Sequence, residues 1–316
     1  MPDDGREVVR VRGVVKDVRP GLGLRRKRIL HGISLTVHRG EIFGFVGPNG
    51  AGKTTMLKVL MGLIRASSGR ATVLGHDVGE TEFRRQVGFL PENPYFYDYL
   101  TGREILRFYA RLSGVRAAAM DKRVATLLDW VQLSDAADAR LRTYSKGMLQ
   151  RIGIAQALIH DPEVVFLDEP MSGLDPIGRK QIRDLILRLK RAGKTVFMNT
   201  HILSDVEMLC DRVAILVAGR IRFQGRLEDF LDGDERESDV VLSGLPADLA
   251  SRFEERYGAE LRGHGTRVEL RVKEKEVADL LRAALEAGAE VQSVTAYRIS
   301  LESIFMRAVE SAEESS

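Results

Sequence analysis

Residues 41–63 read EIFGFVGPNGAGKTTMLKVLMGL, and the fold turns on how that stretch is parsed. The apolar run 42–46 suits a buried strand, and from Lys53 onward the apolar positions recur at helical spacing. Between them stand Gly47, Pro48, Asn49, Gly50, Ala51, Gly52, Lys53 and Thr54, followed by Thr55. This is the pattern GxxxxGK[ST] in the strand, loop and helix setting that gives it meaning. Each residue type has a chemical reason. Glycines allow positive φ and let backbone N–H groups close around phosphate oxygens, and the start of the helix adds a partial positive charge. Residues 47–55 are therefore expected to cradle the phosphates of a nucleotide, with Lys53 bridging the β- and γ-phosphates and Thr54 a ligand of Mg2+.

Two further apolar strands end in chemistry. EVVFLDEP, residues 163–170, closes on Asp168 and Glu169, and KTVFMNTHILSD, residues 194–205, carries His201 just past its apolar part. In P-loop nucleotidases a carboxylate at the C-terminal end of a parallel strand holds Mg2+, which makes Asp168 the expected metal ligand. Glu169, pointing the other way, is the expected base that polarises a water for in-line attack on the γ-phosphate. An imidazole on the same rim can donate to an anionic oxygen, so His201 is read as a γ-phosphate contact.

Around these motifs, β-branched segments alternate with helical stretches that start near Lys53, Thr101, Met120, Lys146 and Pro176. That alternation predicts an α/β fold: a P-loop NTPase core with a largely parallel sheet. The strand-rich first fifty residues predict an antiparallel β subdomain, and the helix-rich middle a helical subdomain. In LEDFLDGDERESD, residues 227–239, the apolar pattern gives way to charge, which places a boundary near Asp232. Residues 1–232 then form the nucleotide-binding domain and 233–316 a second, small domain. Its segments read strand, helix (Pro246 to Tyr257), two strands around GHGT, helix, strand. The order βαββαβ predicts a ferredoxin-like α+β domain.

A chain of 316 residues is long enough for two such cores, and 44% hydrophobic with 29% charged residues excludes a disordered or collagen-like chain. Its apolar runs fall far short of the roughly 18 to 20 residues that cross a bilayer. The start, MPDDGREVV, is acidic where a secretory signal is basic, so a cytoplasmic location is expected. Cys210 has no second cysteine to pair with and is expected to be a small buried hydrophobe. The net charge of +3 combines +10 over residues 1–232 with −7 over 233–316. A basic front suits an anionic ligand, though solvated faces alone can produce it. Arg25-Arg26-Lys27-Arg28, following PGLG, is expected in an exposed loop, either as a solvated turn or as a site for nucleic acid or lipid headgroups.

Taken in order, the phosphate loop, YSKGMLQR (144–151), FLDEP (166–170), SGLDP (172–176) and NTHIL (199–203) resemble the ATP-binding subunit of an ABC transporter over residues 7–230. The resemblance implies a domain that dimerises head to tail, with ATP and Mg2+ held between the phosphate loop of one copy and the Ser-x-Gly turn of the other. Ser145, capping the helix from Lys146, and Gly147 would then bind ATP in trans, and Ser172 to Asp175 would communicate across the dimer. Some positions depart from the family pattern. Glu92 stands where a glutamine is usual, and its carboxylate would reach Mg2+ or the attacking water. Lys146 and Met148 replace the commoner Gly and Gln, adding a charge and removing a side-chain hydrogen bond. Val18, or a residue near it, takes the place of the aromatic that commonly stacks on adenine. Tyr95, Phe96, Tyr97 and Tyr99 lie where such domains meet their membrane partner, and serve either to dock a partner helix or to cap the helical subdomain.

The single nucleotide-binding domain and the ending YRISLESIFMRAVE are most similar to exporters whose membrane subunits are separate polypeptides, with a C-terminal accessory domain. The resemblance thus implies ATP hydrolysis driving export through ATP-dependent dimer closure. It also implies a separate transmembrane permease, a second ATP-binding subunit forming a homodimer, and a peripheral place on the cytoplasmic face of the inner membrane. No nucleic-acid partner is implied. The alternative is a soluble ABC-type ATPase acting on ribosomes or DNA. Such proteins usually carry two of these domains or long coiled-coil insertions, and this sequence has neither.

Overall fold

The computed structural model describes residues 7–19, 26–231, 237–245, 247–257, 260–262, 267–297 and 301–306. In chain order, the elements begin with β1 (Glu7–Val18), β2 (Lys27–His38), β3 (Ile42–Val46), α1 (Lys53–Leu60), β4 (Ser68–Val73), β5 (His76–Asp77) and β6 (Val87–Leu90). Three helices follow: α2 (Gly102–Leu112), α3 (Ala117–Trp130) and α4 (Lys146–Ala157). Then come β7 (Val164–Asp168), α5 (Pro176–Arg191), β8 (Thr195–Thr200), α6 (Leu203–Leu209), β9 (Arg212–Val217), β10 (Arg220–Arg226) and α7 (Leu227–Leu231). By its contacts the chain forms two compact units that divide between Leu227 and Glu228.

In the first unit a six-stranded sheet has the order β10-β9-β3-β8-β7-β6. All its neighbours pair in parallel except β10, an antiparallel edge strand. A parallel strand covered on both faces must be apolar at nearly every position rather than every second one. That requirement explains IFGFV, VVFLD and TVFMNT, in which every residue is buried. At the centre, the ring of Phe197 lies 5.5 Å from Phe43, 5.7 Å from Phe45 and 5.5 Å from Phe166. A second sheet, β2-β1-β4-β5, is antiparallel and forms the β subdomain. Between β6 and β7 the chain makes the helical subdomain, whose first helix is held by a capping box of Thr101 and Glu104.

Two local expectations change. The helix expected from Met120 starts at Ala117, because the strong helix formers Ala117, Ala118 and Ala119 extend it toward its N-terminus. Lys27 and Arg28 belong to β2 rather than to an exposed loop. Arg28 faces its register partner Asp17 on β1 and donates to both carboxylate oxygens, at 2.8 and 3.4 Å. An opposite-charge cross-strand pair of this kind suits strand better than turn. Arg25 and PGLG lie outside the described residues.

The second unit has β11 (Glu237–Ser243), α8 (Ala247–Tyr257), β12 (Glu260–Arg262), β13 (Arg267–Lys273), α9 (Glu274–Glu286) and β14 (Glu290–Tyr297). Its sheet runs β12-β13-β11-β14 with every neighbouring pair antiparallel. The element order is the βαββαβ read from the sequence, and its core gathers Val240, Leu242, Phe253, Leu270, Val272, Leu280 and Ala284. Pro246 and GHGT lie outside the described residues.

Because Phe197 is fully buried among three other rings, Phe197→Ala is expected to destabilise the first unit by roughly 3 to 5 kcal/mol. Chemical denaturation followed by tertiary-structure signals measures this. A midpoint unchanged from wild type would contradict the placement of Phe197 at the sheet centre.

Candidate active site

The site begins with strand order. β3, β8 and β7 are neighbours in parallel, with Val46 paired to Thr200 and Asp168 paired to Asn199. Parallel strands end on one rim, so the loop after β3, His201 after β8 and Asp168–Glu169 at the end of β7 are brought together. Two glycines in the loop are required by geometry. A Cβ on Gly47 would stand 2.3 Å from the Leu216 carbonyl oxygen. Gly52 has φ +110° at the cap of α1, where a Cβ would also meet Leu30 at 2.8 Å.

Lys53, 6% exposed, donates through Nζ to the carbonyl oxygens of Gly47 at 2.7 Å and Pro48 at 3.3 Å, and lies 3.3 Å from Oε1 of Glu169. The other oxygen, Oε2 of Glu169, accepts from Nδ1 of His201 at 2.8 Å. Glu169 itself has φ +49°, a left-handed conformation that a side chain rarely adopts, and its N–H donates to the Asn199 carbonyl at 3.0 Å. Strained backbone persists only where surroundings hold it, and here it turns the carboxylate away from Asp168 and toward Lys53 and His201. A neutral His201 held through Nδ1–H offers Nε2 as an acceptor, whereas the protonated ring offers a second donor.

Asp168 is 2% exposed and accepts through Oδ1 from Thr54 Oγ1 at 3.3 Å and from Asn199 Nδ2 at 3.1 Å. Burial pushes its carboxyl above the ordinary range, the charges of Glu169 and Glu92 push the same way, and the two hydrogen bonds only partly offset them. Such a carboxylate gains from a cation. The oxygens of Thr54 and Asp168, with Glu92 nearby, are the hard donors Mg2+ prefers, and a nucleotide-bound Mg2+ takes few protein ligands. Among the described residues no group of three or more His, Cys, Asp or Glu is placed to hold a metal ion.

A cleft of about 700 Å³ opens over these groups, lined by Asn49, Gly50, Gly52, Lys53, Thr54, Thr55, Glu92, Glu169, Ser172 and His201, with Lys27 and Ile29 on its wall. Gly47, Ala51 and Asp168 stand behind this surface, buried. Val18 is not among the lining residues. It pairs with Lys27 across the β1–β2 ladder, and the wall expected near it is made by Lys27 and Ile29 of β2. Ser145 and Gly147 are also absent from the lining. Ser145 caps α4, its Oγ accepting from Met148 N at 3.3 Å. Lys146 turns toward the 172–175 loop, its Nζ so close that a Cβ on Gly173 would be 2.3 Å from it.

Asn199 was not singled out from the sequence. Its signal was available: an amide inside the apolar run VFMNT, and a buried polar residue asks for a partner. Lys27 and Ile29 gave no such signal, because only the long-range packing of β2 against Gly52 brings them to the cleft.

A glycine-rich phosphate loop, a buried Asp beside its Thr54 and a Glu–His pair on one strand rim define a nucleotide-binding P-loop ATPase. The family described as ABC transporter matches residues 30–172. The ABC transporter ATP-binding protein YdbJ of Bacillus subtilis is 38% identical over 91% of this chain and 92% of its own length. The ABC transporter ATP-binding protein sll0415 of Synechocystis is 49% identical over 78% of this chain and 70% of its own. Among solved structures, the ATP-binding cassette MJ0796 in a dimeric post-hydrolysis state bound to ADP and Pi matches with TM-score 0.64 and 25% identity, over 70% of this chain and all of that one. The chain belongs to the ABC transporter family as one of its ATP-binding proteins.

The raised pKa of Asp168 carries a stability prediction. A carboxyl whose folded pKa exceeds its unfolded one costs stability above that pKa, and the cost fades as pH falls through it. Asp168→Asn keeps the oxygen that accepts from Thr54 and Asn199 but removes the charge. The nucleotide-free variant is expected to melt above wild type at neutral pH, with the difference shrinking toward acid, while Mg2+-dependent hydrolysis is lost. Differential scanning calorimetry across pH measures it, and a lower melting temperature at neutral pH would contradict the account.

Proposed function

We propose that this ATP-binding subunit powers an exporter whose membrane-spanning part is a separate polypeptide, and that it works as a dimer with ATP shared between copies. The observation that carries the hydrolytic half of this reading is the line Lys53–Glu169–His201, at 3.3 and 2.8 Å, on the rim of the cleft. Lys53 exchanges its contacts with loop carbonyls for the β- and γ-phosphate oxygens. Glu169 accepts a proton from the attacking water, in reach of His201, which steadies the carboxylate and can donate to the γ-phosphate when protonated. When bound, Mg2+ neutralises charge developing between the β- and γ-phosphates, and Thr54, Asp168 and Glu92 are the residues that would hold it.

Ser145 and Gly147 complete the site from the second copy. The capped start of α4 presents backbone N–H groups and a hydroxyl suited to an anion, yet it is not part of its own chain's cleft. The dimeric state of the matched MJ0796 structure supports this arrangement. Export is supported by relatives. The Fluoroquinolones export ATP-binding protein of Mycobacterium tuberculosis is 44% identical over 69% of this chain and 70% of its own length. The Linearmycin resistance ATP-binding protein LnrL of Bacillus subtilis is 35% identical over 70% and 72%.

No helix among the described residues is long and apolar enough to cross a membrane. The surface proposed to receive that permease, on the cytoplasmic face of the inner membrane, is aromatic. Tyr95, Tyr97 and Tyr99 are exposed, Tyr97 lies 5.8 Å from Tyr99 and 5.9 Å from Phe108, and Leu112 nearby in sequence on the same helix as Phe108 is 67% exposed. Aromatic side chains of this kind are common anchors at interfaces. Phe96 differs, since it is half-buried and faces Gly153 of α4, so it serves the helical subdomain.

Glu169→Gln is expected to lower the ATPase rate by roughly a hundredfold or more while leaving ATP bound, so that a dimer accumulates in size-exclusion chromatography with ATP. Unchanged turnover would remove Glu169 from the role of base. Replacing Tyr95, Tyr97 and Tyr99 by serine is expected to leave ATP binding intact and to release the protein from the membrane fraction of cells. Retention of the variant there would overturn the docking assignment.

A further inference from the structure

A buried carboxylate outside the cleft joins the two segments that flank it. Asp205 is the third residue of α6, four residues after His201, and it is 1% exposed. Its Oδ1 accepts from Nη1 of Arg183 at 3.3 Å, and its Oδ2 lies 3.7 Å from Nη2 of Arg179. Arg179 and Arg183 are four residues apart on one face of α5. That helix begins directly after the loop Ser172–Asp175, and Asp175 is its cap, accepting from Gly178 N at 2.7 Å. One carboxylate thus ties the helix that follows His201 to the helix that follows the 172–175 loop.

Stability alone is a poor explanation for this arrangement. Asp205 gives up its hydration while Arg179 and Arg183 stay 33% and 26% exposed, and burying a carboxylate for such a pair is often no better for stability than well-packed apolar residues. Here the compensation is incomplete: among the described residues Oδ2 of Asp205 accepts no hydrogen bond, and the guanidinium of Arg179 stands off at 3.7 Å. What the contact does supply is a link between helices, since Nη1 of Arg183 on α5 reaches both Oδ1 of Asp205 and Sδ of Met208 on α6, each at 3.3 Å.

We propose that Asp205 is a positioning residue for hydrolysis. Through Arg183 and Arg179 it sets the start of α6 against the start of α5, so that His201 stays on Glu169 when a second copy engages the 172–175 loop. The proposal rests on the reading of His201 as part of the hydrolytic rim. Asp205 touches neither nucleotide nor water in this scheme and acts only through its effect on His201.

The test is steady-state Mg-ATP hydrolysis by the full-length chain, with nucleotide affinity from a fluorescent ATP analogue and folding from thermal melts. Asp205→Asn is expected to lower kcat about tenfold while KM and analogue affinity change by less than about twofold. Asp205→Glu, which keeps the charge, is expected to restore most of the rate. If the asparagine variant fails to fold, Arg183→Gln carries the same expectation from the other side of the pair. The double variant Asp205→Asn with His201→Ala decides between positioning and simple structural support. Positioning predicts it to be no slower than His201→Ala alone, because the residue through which Asp205 acts is already gone. Full kcat in Asp205→Asn, or a double variant slower by the product of the two separate losses, would overturn the proposal. A wild-type rate in His201→Ala would instead sink the reading of His201 itself, a failure distinguishable from a slow His201→Ala beside a full-rate Asp205→Asn.

Discussion

The structure depends on one constraint: β3, β8 and β7 run side by side in the same direction. Parallel neighbours must finish on a common rim, and there β3 gives way to the phosphate loop, β7 ends in Asp168 and β8 is followed by His201. The phosphate loop, the Asp168–Glu169 pair and His201 therefore meet without any long excursion of the chain. Behind them Phe197 stacks on Phe43 and packs at a tilt on Phe166, which helps fix the spacing of the three strands, so packing in the sheet and geometry at the cleft are one problem.

The rim is kept at a cost. Glu169 sits at positive φ, Asp168 is a buried carboxyl pushed toward neutrality, and Lys53 is a buried ammonium. Each is a local departure from what folding alone favours, and all three stand on the rim of the cleft that the proposed function assigns to ATP. Lys53 and Glu169 partly compensate one another across 3.3 Å, as do Glu169 and His201. Groups so arranged are ready to exchange partners when phosphate oxygens arrive, because those oxygens supply the same charges in better geometry.

Much of this was legible in the sequence for a physical reason. The phosphate loop is contiguous, so its turn, its close approaches and its helix start are all written in Gly47 to Thr55. Asp168, Glu169 and His201 were legible because polar residues ending apolar runs mark strand ends. Contributions that depend on which strands become neighbours were not. Asn199 reaches Asp168 only because β8 pairs with β7, and Ile29 reaches the cleft only because β2 packs on Gly52. The basic run ending in Lys27 and Arg28 misled, since charge suggests a loop until Asp17 is found opposite. Asp205 sits in a polar-looking helix start, and nothing in the local pattern announces that α5 will bury it.

The turn at Ser145–Gly147 is the other half of the account. It caps α4, abuts the 172–175 loop through Lys146 and has no place in its own cleft, which makes sense if it serves the nucleotide of a second copy. The most direct measurement mixes two full-length variants that are each inactive, Lys53→Ala and Ser145→Arg, and follows ATP hydrolysis. A site shared between chains predicts that the mixture regains activity neither variant has, because the mixed dimer pairs one intact phosphate loop with one intact turn. A mixture as inactive as its components would contradict it.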